Sequence, residues 1–434
     1  MRFSRKYSSL LVVAALLGLR PAVSFAQGDA GIQHIRPMDQ RGLNVFEPPK
    51  ADTTKFTGLH TSWGAAFTQD FQNFTHQNTA TPNLVNGVNA NALMPIGPGF
   101  NNAMANLYMN TQLAKGIRVQ LTAYLSTRHH NEAWVKDGYF LIDDSPFDVP
   151  ELNMLMQYLT LRVGHFEINY GDEHFRRTDG GNALDNAFIG NPIIDAFTTE
   201  IGAEAYLRSN GYMLMGAITG GEVRGTVETP SKRAPAFYGK AGYDKQLNKD
   251  LRFRLTGSLF SQARSANNTL IGGDRAGSHY FDVMENTAST TTANAWSGTI
   301  NPGMRNDIHA LAVNPFIKYQ GLELFGDAER FRGSSATEVS DRTWTQYDGQ
   351  AVYRFLPNEQ AYVGYRYNTA KGQLTGITND VSVNRWSVGG GLFVTRNVLA
   401  KFEYTNQTYN NFPLTDIRSG GLFKGFMLEG VVAF

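Results

Sequence analysis

The chain has 434 residues, 42% of them hydrophobic, with 39 Lys+Arg against 38 Asp+Glu and no cysteine. The near balance of charge excludes a polybasic nucleic-acid binder and an acidic solvating chain, so no nucleic-acid partner is expected. The missing cysteines exclude a disulfide scaffold and a thiolate metal site.

The chain opens with MRFSRKYSSLLVVAALLGLRPAVSFAQ. Arg2, Arg5 and Lys6 form a basic n-region, Leu10 to Leu19 is a short apolar core, and Ser24 and Ala26 are small residues ahead of Gln27. This pattern reads as a secretory signal peptide over 1–26. The apolar run is far short of the ~20 residues a transmembrane helix needs, and no cysteine follows that could carry a lipoprotein anchor. Cleavage removes Arg2, Arg5, Lys6 and Arg20 and no acid, which leaves 35 basic against 38 acidic residues, a net of −3. Residues 27–55 contain Pro37 and the pair Pro48-Pro49 and show no strand period. They read as an extended periplasmic lead-in.

From residue 56 onward the chain alternates. In IRVQLTAYLSTR, Ile117, Val119, Leu121, Ala123 and Leu125 interleave with Arg118, Gln120, Thr122, Tyr124 and Ser126. LRFRLTGSLF repeats the pattern at 251–260. This is the period of two of a half-buried strand, and its polar face carries arginines that must meet water. Candidate strands fall at 57–70, 103–113, 117–128, 134–143, 157–166, 196–208, 211–220 and 235–245. They continue at 250–260, 307–319, 322–331, 343–355, 360–370, 381–394, 398–407 and 420–434. Sixteen such segments are the pattern of a transmembrane antiparallel β-barrel spanning 56–434. Tight connections such as Ser209-Asn210-Gly211 alternate with long ones at 71–102, 167–195, 221–234, 261–306, 332–342, 371–380 and 408–419. With both ends in the periplasm, every long loop lies outside. The one long periplasmic connection, Asp144 to Met156, breaks the pattern.

The last strand, FKGFMLEGVVAF, ends on Phe434. It resembles the C-terminal signature of bacterial outer-membrane β-barrel proteins. Tyr319, Phe355, Phe402, Tyr404 and Phe434 fall near strand ends on the lipid face, where aromatic girdles sit. The expected location is the bacterial outer membrane, with its lipid as a partner.

The third long loop carries GDEHFRRTDGG, which packs Asp172, Glu173, His174, Arg176, Arg177 and Asp179 into a few residues. Carboxylates facing arginines across a bore create a transverse field that filters ions, so these six are the candidate pore constriction of an inward-folded loop. Arg176 and Arg177 would pin the loop by pairing with wall carboxylates such as Glu200 and Glu204. A catalytic use of His174 beside Asp172 and Glu173 lacks a nucleophile motif. On an extended chain these neighbours also point to opposite sides. No metal-ligand spacing such as His-Glu-x-x-His and no EF-hand spacing occurs, so neither a cofactor nor a metal nor an enzyme activity is expected.

The stretch LTLRVGHFEINYGDEHFRRTD, Leu159 to Asp179, resembles the phosphate-selective porin O and P family of outer-membrane porins. It is a strand ending in Gly164, His165 and Phe166 that runs into the constricting loop. The resemblance implies a sixteen-stranded, trimeric, passive channel. It does not carry over phosphate selectivity, because that family lines its pores with dense arginine ladders. Here the inward-facing bases are Arg118, Lys136, Arg162, Lys240, Arg252, Arg254, Lys318, Arg354, Arg366, Arg385 and Lys401. The inward-facing acids are Asp70, Asp137, Glu200, Glu204, Asp244, Glu323, Asp327, Glu329, Asp348, Glu403 and Glu429. The two sets are equal, and cross-strand ion pairs account for most of them. Glu323, Asp327 and Glu329 make an acidic stripe on one strand.

The expected function is a water-filled channel for passive diffusion of small hydrophilic solutes or ions, with anions such as phosphate among the candidates. The alternatives are a structural or adhesive surface barrel, suggested by the long Asn/Thr-rich loops 71–102 and 261–306, and an outer-membrane barrel hydrolase. A transporter of hydrophobic compounds would need a continuous apolar path that the polar lumen face lacks.

Overall fold

The computed structural model describes residues 32–48, 50, 54–101, 104–125, 133–178, 181–222, 225–272, 275–290 and 296–434. Asp179 lies outside the described residues. Sixteen antiparallel strands form one closed barrel: β1 (His60–Gln77), β2 (Ala105–Ala114), β3 (Ile117–Leu125), β4 (Ala133–Ile142), β5 (Leu159–Glu167), β6 (Thr199–Ser209), β7 (Tyr212–Thr219) and β8 (Ala236–Gln246). Then follow β9 (Leu251–Gln262), β10 (Asp307–Tyr319), β11 (Leu322–Ser334), β12 (Arg342–Phe355), β13 (Ala361–Gly372), β14 (Val381–Thr395), β15 (Val398–Asn410) and β16 (Leu422–Ala433). Each strand pairs with the next, and β16 returns to β1 from Ala66↔Ala433 to Gln77↔Leu422. Phe434 completes this seam: its N–H donates to Ala65 O at 3.0 Å, and its carbonyl accepts from Ala65 N at 2.9 Å.

All sixteen expected strands are present. The largest shift is in β1, which runs to Gln77, because its pairing with β16 continues past residue 70. The long periplasmic connection has a local cause: it holds a short helix, α1 (Pro150–Met156), with Pro150 in its first turn, where the missing N–H costs nothing. The β6–β7 turn uses Asn210 at φ 53° and Gly211 at φ 90°, the paired positive φ of a type I′ hairpin.

Burial is inverted relative to a water-soluble fold. On β9, Leu255 and Leu259 are exposed while Arg254, Thr256 and Ser258 are buried. On β10, Leu311, Val313 and Ile317 are exposed and Asn314 is buried. Tyr319, Phe355, Phe402 and Phe434 all lie on the exposed face. An apolar outer surface around a charged interior is stable only in lipid, so the molecule is an outer-membrane barrel. No described helix is long and apolar enough to cross a membrane; the strands do the crossing.

Ile193 and Ile194 pack with Leu270, Ile271, Tyr280, Val283 and Ile300 in one buried apolar cluster. The Asn/Thr-rich segment 261–306 is therefore only partly the solvated loop its composition suggests. Its few apolar residues are the ones that pack.

Candidate functional site

The segment that follows β5 is hydrogen-bonded to inward-facing side chains of β6, β8, β9, β10, β12, β13, β14 and β15. At its start Gly171, at φ 66°, turns the chain so that its own N–H donates to Ser258 Oγ and Asp172 N donates to Asn314 Oδ1, both at 3.1 Å. Further on, Ile193 N donates to Asn368 Oδ1 at 2.6 Å and Ile194 N to Gln346 Oε1 at 2.7 Å. Arg366 donates to Gly190 O at 2.7 Å, Arg385 to Asn191 O at 2.6 Å and Lys401 to Phe188 O at 3.2 Å. Long basic side chains of the wall thus hold backbone carbonyls of the loop.

Asp172 is the centre of the cluster. Its carboxylate accepts from Arg254 twice at 2.8 Å and from Thr256 Oγ1 at 2.9 Å, and lies 2.6 Å from Lys240 Nζ. Burial alone would raise this carboxyl, but Lys240 and Arg254 outweigh burial and hold it at about 2. The same two bases grip Glu47 of the lead-in, at 3.2 Å from Lys240 and 2.8 Å from Arg254. Against its burial, they hold that carboxyl well below the usual range as well.

Residues Glu173–Arg176 form one turn of 3₁₀-helix, not an extended chain. In such a turn residues three apart share a face, so Glu173 and Arg176 both reach Gln350, Glu173 at 3.2 Å and Arg176 at 3.4 Å. Among the described residues the base in ion-pair range of Glu173 is Arg366, at 3.8 Å. Burial first, with Asp348 beside it, pushes its carboxyl up to about 7. His174 Nε2 meets Asn169 Oδ1 at 2.9 Å, and its ring centroid lies 3.9 Å from that of Phe175, the planes tilted by 37°. Burial, with Lys240 nearby, pulls it well below its ordinary value, so it stays neutral. Arg176 donates to Asn44 Oδ1 at 2.9 Å, and Arg177 makes a bidentate pair with Asp195 at 2.7–3.1 Å. The two arginines do not pair with Glu200 or Glu204. Glu204 is taken by Arg162 at 2.5 Å, and Arg177 has a carboxylate within its own loop.

The lead-in contributes residues that its lack of strand pattern concealed. Phe46 packs on Phe316 and Phe175, with ring centroids 5.5 and 5.6 Å apart, and Arg254 lies 4.2 Å over its ring. Asn44 donates to Glu323 at 2.5 Å. Arg36 reaches Asp185 at 2.9 Å, and Gln40 N donates to Arg396 O at 2.8 Å in the β14–β15 turn. Residues 32–48, read from sequence as a periplasmic segment, thus touch lumen-facing side chains at the end of the barrel that carries the short turns. The one hint in sequence is Phe46-Glu47, an aromatic–acid pair directly before Pro48-Pro49.

Most of the other wall residues are paired. Arg252 binds Asp244 at 2.7 Å, Arg354 and Lys318 bind Glu323 at 2.9 and 3.1 Å, Arg366 binds Asp348 at 2.7 Å and Lys401 binds Glu429 at 2.7 Å. Arg118 and Arg385 differ. Both are buried, and their partners are neutral: His34 O for Arg118, and Gln407 Oε1, Asn191 O and Gly298 O for Arg385. Asp327 accepts from Asn314 at 2.7 Å and Glu329 from Gln346 at 2.9 Å, and neither has a base in ion-pair contact among the described residues. At the end of the barrel that carries the short turns a cavity of about 900 Å³ opens beside Lys50, Asp143, Arg208 and Arg252.

No protein-family model matches this chain, and no curated protein is similar to it. Solved structures are similar in fold. The outer-membrane channel DcaP of Acinetobacter baumannii aligns with a TM-score of 0.55 at 9% identity, over 88% of this chain and 99% of that one. An anion-selective porin from Comamonas acidovorans aligns at 0.53 and 12% identity, over 86% and 100%. The trimer form of OmpT, an outer-membrane protein of Vibrio cholerae, aligns at 0.51 and 7% identity, over 87% and 100%. At these identities the likeness is one of fold: the chain is a porin-like outer-membrane β-barrel.

Proposed function

We propose that the protein is an outer-membrane channel for passive diffusion of small hydrophilic solutes or ions, and not an enzyme. The observation that carries this reading is the inverted burial: a sixteen-stranded wall with charged side chains facing in. A barrel of this size is too wide for its own wall side chains to fill and leaves an aqueous bore. Here the filling comes from the lead-in and the long loops, held by ion pairs and hydrogen bonds, and such pieces can be displaced without breaking the strand ladder. Anions, phosphate among them, are the solutes that Arg118 and Arg385 favour, since neither has a carboxylate partner among the described residues. The trimeric form of a similar barrel supports a homotrimer. A hydrolase gains no support at His174, whose polar neighbours are Asn169 and Glu167, neither of them a nucleophile placed beside a base.

The test is single-channel recording of the refolded protein in a planar bilayer with a salt gradient. Discrete ohmic steps are expected, with a reversal potential of the sign that anion preference gives. Folded, inserted protein lacking residues 32–50 that still carries no current would overturn the channel reading.

A further inference from the structure

The seam where the first and last strands meet holds a second constellation. The β1–β16 register sets Asp70 directly opposite Glu429, and both side chains are fully buried. Two carboxylates at paired positions repel each other unless a cation stands between them. His279, from the segment between β9 and β10, supplies the group in between. Its Nδ1 lies 2.9 Å from Asp70 Oδ2 and 3.0 Å from Glu429 Oε2, and one ligand atom from each of the three residues fits within 4.8 Å of the others.

The other ring nitrogen is fixed. His279 Nε2 is 2.9 Å from Thr178 Oγ1, and that hydroxyl donates to Gly277 O or Asn191 Oδ1, each at 3.1 Å. Its single proton is used there, so it accepts from Nε2–H. Nδ1 is then the nitrogen that faces both carboxylates. A histidine whose far N–H is held by an oxygen while its near nitrogen faces anionic donors is the arrangement metal-binding histidines adopt. Independently, Asp70 Oδ1 is buried with no hydrogen-bond partner, which leaves a donor oxygen at the site unused.

We propose that Asp70, His279 and Glu429 form a binding site for one divalent transition-metal ion of the zinc class, which fastens the β9–β10 segment to the barrel seam. One imidazole nitrogen with two carboxylate oxygens and an open fourth position suits Zn²⁺ or Co²⁺ better than Ca²⁺, which prefers six to eight oxygens. Tetrahedral bonds of this kind separate ligand atoms by about 3.3 Å, so the two contacts of His279 Nδ1, at 2.9 and 3.0 Å, have only to widen by a few tenths of an ångström. Without metal, a proton on Nδ1 together with Lys401, 2.7 Å from Glu429 Oε1, balances the two carboxylates. The ion displaces that proton to solvent, and the cluster goes from neutral to a single positive charge. Because Thr178 belongs to the loop that carries Asp172, the ion would tie both loops to one point of the wall. The site does not depend on whether the chain conducts.

The experiment uses the full mature chain, purified without a histidine tag, refolded in detergent and titrated with Co²⁺. Visible ligand-field absorption that saturates at one ion per chain and is displaced by Zn²⁺ is expected. His279→Ala should abolish it, Asp70→Asn should weaken binding at least tenfold, and Thr178→Val should weaken it by about 10- to 100-fold. Amide exchange across 275–290 should slow when Zn²⁺ is added. If His279→Ala does not fold, His279→Gln and Glu429→Gln carry the comparison. Folded parent protein with no saturable absorption overturns the site, and so does absorption that the folded variants leave unchanged, which would mean an adventitious ion only.

Discussion

At Asp172 one carboxylate joins the loop to β8 and β9, and through the same two bases to the lead-in. Removing its charge by Asp172→Asn leaves Lys240 with Glu47, and Arg254 with Glu47 and Asp244. An uncompensated buried ion costs roughly 3–5 kcal/mol, less whatever Glu47 recovers, so the loop should loosen and the frequency of channel opening should rise in bilayer recordings. Its pH dependence follows from the depressed carboxyl at about 2. The stability it contributes is complete above the ordinary carboxylate range and is lost only as pH falls toward 2, so the loop should stay in place at pH 4 and the parent protein's opening frequency there should match that at pH 7. Glu173 behaves in the opposite sense. With its carboxyl raised to about 7, it is neutral in acid and gains its charge near neutrality, and the stability tied to its bound proton is lost as pH rises from the ordinary range through 7. Permeability to cations should therefore rise between pH 6 and 8, and reversal potentials of Glu173→Gln should be flat over that interval.

Among the elements, the lead-in is the piece most readily tested. It holds no strand, and apart from the backbone hydrogen bond of Gln40 to Arg396 its attachments named above are side-chain contacts: Phe46 among aromatic rings, Glu47 on two bases, Asn44 on Glu323 and Arg176. A chain without residues 32–50 should fold, because no strand pairing is lost, and should show larger conductance steps than the parent. The pair Phe46→Ala and Glu47→Gln should give part of that gain. Equal conductance in all three proteins would show that the lead-in does not obstruct the bore.

For the molecule as a whole, the decisive property is which face of each strand meets lipid. Val313 is at the middle of β10 and half exposed on the outer face. An arginine there should cost about 2–4 kcal/mol, the range for a cation at the bilayer midplane, measured by urea-dependent folding into lipid vesicles. The same replacement at Asn314, one residue on and facing inward, should leave membrane insertion intact and alter conduction instead.

The barrel is legible in the sequence because a strand's period of two is local. Arg118 against Val119, or Arg254 against Leu255, assigns wall and lipid faces without knowledge of any neighbour, and the alternation of short and long connections orders the sixteen strands. The charged cluster at 172–177 was visible as composition. Its partners were not: Arg177 meets Asp195 rather than Glu204, and Asp172 meets a base on each of two strands, because side chains that converge across an enclosed space are set by the curvature of the wall and the path of the loop. The lead-in could not be placed from sequence, since it has no periodicity and its hold depends on bases of β8 and β9 some two hundred residues away. The Asp70–His279–Glu429 cluster is the extreme case: its members stand at the two ends and the middle of the barrel sequence, and only closure of the last strand onto the first brings them together. Hydrophobic alternation, a nearest-neighbour property, determined the barrel; contacts across its interior, which no local pattern encodes, decided what fills it.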